Sequence, residues 1–247
     1  MATRYVIAAL RLAFALLTFA AIGVQLAHTI DAGNSVVNFV SFFTIDSNIL
    51  AAVLLLALGL TPTGERSHRT DVLRGAAVVY LVTTGVVYAL LLSNADVQVT
   101  LPWVNTVLHR VMPIVVFLDW LIVPPSSTIS MREASWWLAF PIVWTVYTMI
   151  RGAIVDWYPY PFLDPRLHGP VEIAVTMVGI ALFIAVVIAA VHWIGNASHQ
   201  AASRIEIVLE GGTINQSRNT TIGITRCNTV LTHGSVTCIS AFDSRSA

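Results

Sequence analysis

The sequence predicts an all-α, polytopic membrane protein, a bundle of six transmembrane helices followed by a polar C-terminal tail. Three observations carry this reading. The 247-residue chain is 56% hydrophobic and only 11% charged, where a soluble domain carries about 25% charged residues. Its mean hydropathy is +0.77. Its apolar residues gather into stretches near the roughly 20 residues that a helix needs to cross a bilayer.

Six stretches qualify: Tyr5 to Ala27, Val36 to Leu60, Arg74 to Leu92, Thr106 to Val123, Ser135 to Asp156, and Val171 to Ile194. The first follows Arg4 as the core of a signal peptide would. It is long for that role and further spans follow it, so it reads as a helix. The fourth is the shortest and has Arg110 near its start. These six form a transmembrane domain over 1–195. Residues 196–247 are rich in Ser, Thr, Asn and Gly and read as a flexible or weakly β tail. Within it, Arg204 to Leu209 ahead of Glu210-Gly211-Gly212 has the pattern of a strand and a turn.

Arginine placement predicts orientation, because basic residues near helix ends stay on the cytoplasmic side. Arg4, the Arg66/Arg69/Arg74 group, Arg132 and Arg204 fall on one side, whereas the opposite loops carry only Arg166. Both termini are therefore expected in the cytoplasm. Formal net charge is zero, which offers nucleic acid no basic surface. Cys227 and Cys238 both lie in the tail. They supply at most a disulfide, since a structural zinc site wants about four ligands. No Gly-rich phosphate loop, His-Glu-x-x-His motif or Gly-x-Ser-x-Gly elbow is present, so neither metal nor cofactor is expected.

Function points to a polar knot inside the second span, Phe42-Phe43-Thr44-Ile45-Asp46-Ser47-Asn48. Polar groups are costly in lipid and belong against a protein interior or a wet cavity. Ser41, Thr44 and Asn48, at i, i+3 and i+7, share a helix face. Thr44 is expected about 8 residues into its helix, or ~12 Å at 1.5 Å per residue. Asp46 points about 200° away from Thr44; Arg11, Arg110 and Arg151 are its candidate partners. In the fourth span Asn105 and His109 lie one turn apart, and Pro113 is placed to kink the helix and open room beside His109. A histidine is the usual general base, and a threonine hydroxyl needs one to act as a nucleophile. The same side chains also join membrane helices by hydrogen bonds, and both roles remain open from the residues alone. The aromatic, proline-rich loop from Asp156 to Pro165 is expected on the same side. Trp157, Tyr160 and Phe162 are its candidates for a substrate lid, although aromatics also settle at membrane interfaces for their own sake.

Taken together, Phe43-Thr44 with Ser47-Asn48, Asn105-x-x-x-His109 with Pro113, and Trp144 through Arg151-Gly152 into Tyr160-Pro161-Phe162-Leu163 resemble the androgen-induced gene / FAR-17a family. The likeness is to its prokaryotic six-helix branch and covers about residues 5–195. Animal members hydrolyse fatty acid esters of hydroxy fatty acids with a Thr nucleophile and a His. The resemblance implies Thr44 as nucleophile and His109 as base, and a bacterial plasma membrane as the setting. The expected function is thus hydrolysis of a membrane lipid or acyl ester without a metal. The resemblance gives Asn48 and Asp46 no role; from the residues themselves, Asn48 or Asn105 is the candidate donor to the oxyanion, and Asp46 or Asp119 the candidate to orient the His. The alternatives are a small-molecule or lipid transporter and a non-catalytic lipid-binding protein.

Overall fold

The computed structural model describes residues 2–63, 66–93, 101–218, 228–232 and 235–239. Six of its helices are long and apolar enough to cross a membrane: Ala2–Asp31, Phe43–Leu60, His68–Leu92, Pro102–Ile122, Met131–Val155 and Pro170–Arg204. The protein is an all-α, six-helix integral membrane protein. Compactness divides the chain into Met1–Ala202 and Ser203–Ala247. Cys227 lies outside the described residues, as does much of the tail.

The first unit opens with α1 (Ala2–Asp31). A single turn, α2 (Val36–Phe39), follows and is capped by the Ser35 side chain. The second span does not run unbroken from Val36. The chain leaves the helix at Val40 to Phe42 and restarts as α3 (Phe43–Leu60). Contacts from a distant helix brace this break. Trp144 Nε1 donates to Ser41 O at 3.1 Å, and Ser41 Oγ lies 3.0 Å from the Tyr147 hydroxyl. Thr44 is consequently the second residue of its helix, not a mid-helix group, and Ser41 does not share its face.

Next come α4 (His68–Val87), ending in a π turn at Tyr88–Leu92, and α5 (Pro102–Thr106), which runs through a π turn at Val107–Val111 into α6 (Met112–Ile122). The fifth span comprises α7 (Met131–Ser135), a 3-10 turn and α8 (Ala139–Val155). The last helix, α9, spans Pro170–Arg218. It therefore passes Ile194 and takes up the segment from Arg204 to Leu209 as helix, where a strand was expected. Once a helix is nucleated, each added residue gains a backbone hydrogen bond for little further cost. In the second unit, β1 (Asn228–Thr232) and β2 (Ser235–Ile239) pair antiparallel, Asn228 opposite Ile239.

Burial orders the spans. The His68–Leu92 span is 61% buried against 17% for Met131–Val155 and 22% for the last, so α4 is central and α8 and α9 are peripheral. Large apolar side chains such as Leu16, Val143, Leu182 and Val186 are exposed, as lipid-facing groups are in a fold whose outside solvent is hydrocarbon.

At the end of the bundle away from Thr44, buried charges join three helices. Asp119 of α6 accepts from Arg11 of α1 at 2.7 Å and from Arg74 of α4 at 2.8 Å. Arg74 also meets Asp71 at 2.9 Å, and Asp71 takes Arg66 at 3.1 Å. Arg66 lies outside the spans, and burial pulls its guanidinium below the usual arginine range, with Asp71 opposing that shift. Asp119 is ten residues beyond His109, about 15 Å along a helix. It belongs to this lattice and does not orient the imidazole. The candidate partners of Asp46 are engaged elsewhere, Arg11 with Asp119 and Arg151 with Asn38 at 2.6 Å; Arg110 is exposed.

Candidate functional site

Thr44 enters the site through the break before α3, which points the first turn of that helix into the bundle. His109 enters through the π turn of the fourth span. In that turn the Met112 N–H bonds Val107 O, five residues back, instead of Leu108 O. Such single wide turns recur at functional sites in helices. Pro113 follows and has no N–H to offer. Leu108 O is thereby freed, and Asn48 of α3 fills the gap: its amide donates to Leu108 O at 3.2 Å and to Thr44 O at 2.9 Å. Asn48 is fully buried, and this double bond pins α3 to the fourth span where Thr44 and His109 must meet. Gly85 of α4 allows the close approach on the other side, since a Cβ there would stand 3.2 Å from both His109 O and Pro113 Cβ.

Asn48→Ala leaves Leu108 O unpaired in a dry interior, so the protein is expected to lose about 1–3 kcal/mol. Thermal unfolding in detergent measures this, and an unchanged midpoint would refute the pinning role.

The two side chains do meet. Thr44 Oγ1 lies 3.3 Å from His109 Nε2, and both residues are buried. The other ring nitrogen, Nδ1, lies 3.2 Å from Asn105 O. A carbonyl can only accept, so Nδ1 carries the proton and Nε2 presents its lone pair to the threonine hydroxyl. A backbone carbonyl thus orients the imidazole where a carboxylate was expected. Among the described residues the Asp46 carboxylate has no hydrogen-bond or ion-pair partner, and it does not reach the imidazole. The Tyr88 ring stacks on the imidazole at 4.3 Å, and Asn105 Nδ2 donates to the Tyr88 hydroxyl at 2.5 Å. Asn105 therefore acts on His109 through its carbonyl and through Tyr88.

The third partner of Thr44 comes from the loop. The Tyr160 hydroxyl lies 3.3 Å from Thr44 Oγ1 and 3.4 Å from Thr44 N. Burial pushes its phenol up to about 12, so it stays protonated and able to donate. Tyr160 is walled in by Phe42 and Trp144 and stacks on Phe162 at 5.4 Å. Of the three lid candidates, then, Tyr160 is part of the site wall. Phe162 backs it, and Trp157 sits edge-on to Phe42 beneath the Arg151 guanidinium.

Local chemistry holds the loop in place. Asp156 ends α8 in the left-handed conformation at φ 53°, which aspartate tolerates better than most residues. Arg166 forks onto Asp164 at 2.6 and 2.8 Å and reaches Asp156 O at 2.9 Å. The guanidinium holds the Asp164 carboxyl below its ordinary range. Gly152 lets the Tyr158 ring lie directly on α8, where any Cβ would clash with the ring.

Two cavities share Thr44 and Tyr160 as walls. The larger, about 270 Å³, is mainly apolar and runs past Phe43, Val87, Trp144, Phe162 and Ile184. The smaller, about 30 Å³, adds His109, Gln25 and Thr29. Asn48 and Asn105 are turned to helix pinning and to Tyr88, so neither amide addresses the Thr44 hydroxyl. Tyr160 is the donor that does. Sequence reasoning did not single out Tyr88, Gln25 or Thr29, although Gln25 and Thr29 form an i, i+4 polar pair in an otherwise apolar helix. Among the described residues no three His, Cys, Asp or Glu side chains gather to hold a metal ion. No family model, no curated protein and no solved structure matches this chain.

Proposed function

We propose that this protein is an intramembrane hydrolase of lipid esters. The observation that carries the reading is the buried 3.3 Å contact of Thr44 Oγ1 with an imidazole nitrogen whose lone pair faces it, at the wall of an apolar cavity. An acyl chain fits that cavity's chemistry and sets the ester carbonyl beside Thr44. His109 Nε2 takes the hydroxyl proton as Oγ1 attacks, then returns it to the departing alkoxide, leaving the acyl group on Thr44. Tyr160 is placed to donate to the developing oxyanion, a contribution worth a few kcal/mol in related chemistry.

The resemblance to the androgen-induced gene family supports this assignment and suggests fatty acid esters of hydroxy fatty acids as the first substrates to try. The arginine distribution supports cytoplasmic termini, and the resemblance suggests a bacterial plasma membrane as the setting. A fluorophosphonate probe tests the reading on the purified protein in detergent. Covalent labelling is expected in wild type and absent in Thr44→Ala. A folded wild type that takes no label would instead favour transport or lipid binding.

A further inference from the structure

An acyl group on Thr44 must be released by water, yet the cavity assigned to the chain is apolar. The small cavity has the opposite character on its α1 side. Gln25 is 1% exposed and Thr29 is 9% exposed; both line it together with Thr44 and His109. Thr29 Oγ1 donates to Gln25 O of its own helix at 2.8 Å. That bond joins no second helix and leaves the hydroxyl's lone pairs available to accept. A water needs roughly 10–15 Å³ and two or more polar partners. The cavity measures about 30 Å³, so it has room for about two waters and too little for an acyl chain. Asn34, exposed in the turn after α1, also lines it and gives it a polar edge.

We propose that this chamber holds the water that frees Thr44 from its acyl intermediate, with Gln25 and Thr29 as its water-binding residues. The inference rests on the hydrolase reading above. The water oxygen bonds to the acyl carbonyl carbon while His109 Nε2 takes one of its protons. The carbon–Oγ1 bond then breaks, the proton passes from Nε2 to Oγ1, and a carboxylic acid leaves through the apolar cavity. Thr44 and Tyr160 are walls of both cavities, so the acyl carbonyl stands where the two meet. Water and chain reach it by separate routes.

The test follows p-nitrophenyl decanoate cleavage by the full chain in detergent, with intact mass measured during turnover. Gln25→Leu and Thr29→Val make the chamber apolar, and the second is nearly isosteric should the first disturb folding. Each variant is expected to keep a first burst of p-nitrophenol near one equivalent. Its steady rate should fall about tenfold or more, a loss in line with misplaced reactants. Protein carrying a decanoyl group should accumulate. A steady rate equal to wild type in both variants overturns the proposal, as does a burst that falls in step with the steady rate. Wild type that neither bursts nor takes the fluorophosphonate label overturns the hydrolase reading and this one with it. Normal labelling with unchanged turnover in the variants overturns the chamber alone.

Discussion

His109→Gln is expected to slow ester hydrolysis by about 10²- to 10⁴-fold, the range a general base supplies, while leaving the protein folded. Glutamine keeps a polar group of nearly the same reach, so it can still hydrogen-bond to the Thr44 hydroxyl or to Asn105 O. It cannot accept and return a proton. The substitution therefore separates the two roles that polar side chains take in membrane helices. If His109 only joins α3 to the fourth span, glutamine should preserve both the thermal midpoint and any measured rate. If it is the base, the midpoint holds and hydrolysis collapses. The geometry makes the second outcome the expected one. Nδ1 is committed to a carbonyl, the ring is clamped under Tyr88, and Nε2 is left facing Thr44. A histidine that only joined helices would accept the same hydrogen bond from Thr44; what favours catalysis is that the pair stands at the wall of a cavity able to take a substrate. Steady-state cleavage of p-nitrophenyl decanoate, with unfolding followed in the same detergent, decides between them.

The legible part of this protein was what composition and polarity control. Stretches of apolar residues gave the helices, because burying the backbone of a membrane span allows little else. Thr44 and His109 stood out because each is a polar group in an apolar run, and such groups need a reason. What stayed hidden depends on contacts between distant segments. Nothing local in Val40 to Phe42 forbids helix; the break is braced by Trp144 and Tyr147, about a hundred positions away. That break moves Thr44 from mid-helix to the first turn, so the expected face with Ser41 disappears. The wide turn at His109 left one usable sign, Pro113, which removes a donor from the same stretch. From the sequence it suggests a kink, whereas its further effect is to leave Leu108 O to Asn48. Tyr160 was hidden for a different reason. An aromatic in a membrane loop already has an interfacial explanation, and only the fold brings its hydroxyl across 116 positions to Thr44.

The largest loss of stability is expected at the far end of the bundle from the site, in Asp119→Asn. Asp119 is 12% exposed and receives Arg11 and Arg74 from two other helices. Removing its charge leaves two buried guanidinium groups facing each other with only Asp71 to balance Arg74. Breaking one partner of a buried ion pair typically costs about 3–5 kcal/mol, chiefly from the charge left behind. A surface pair would cost far less. The burial of Arg74, 4% exposed, puts this lattice in the costly class. The expected readout is a large drop in the thermal midpoint of Asp119→Asn in detergent. Adding Arg11→Met in the same chain should recover part of it, because one stranded cation is then gone and its apolar stem is replaced. Non-additivity of this kind marks groups that share one network. If the two losses simply add, the three charges do not act together and the lattice is not what holds α1, α4 and α6 in register. The outcome bears on the site as well. Asp119 and His109 share the fourth span, so this anchor and the Asn48 bond would fix that helix at two points, one at each end of the bundle. A helix held only at the Asn48 end would be free to pivot, and the 3.3 Å approach of His109 to Thr44 would not survive it.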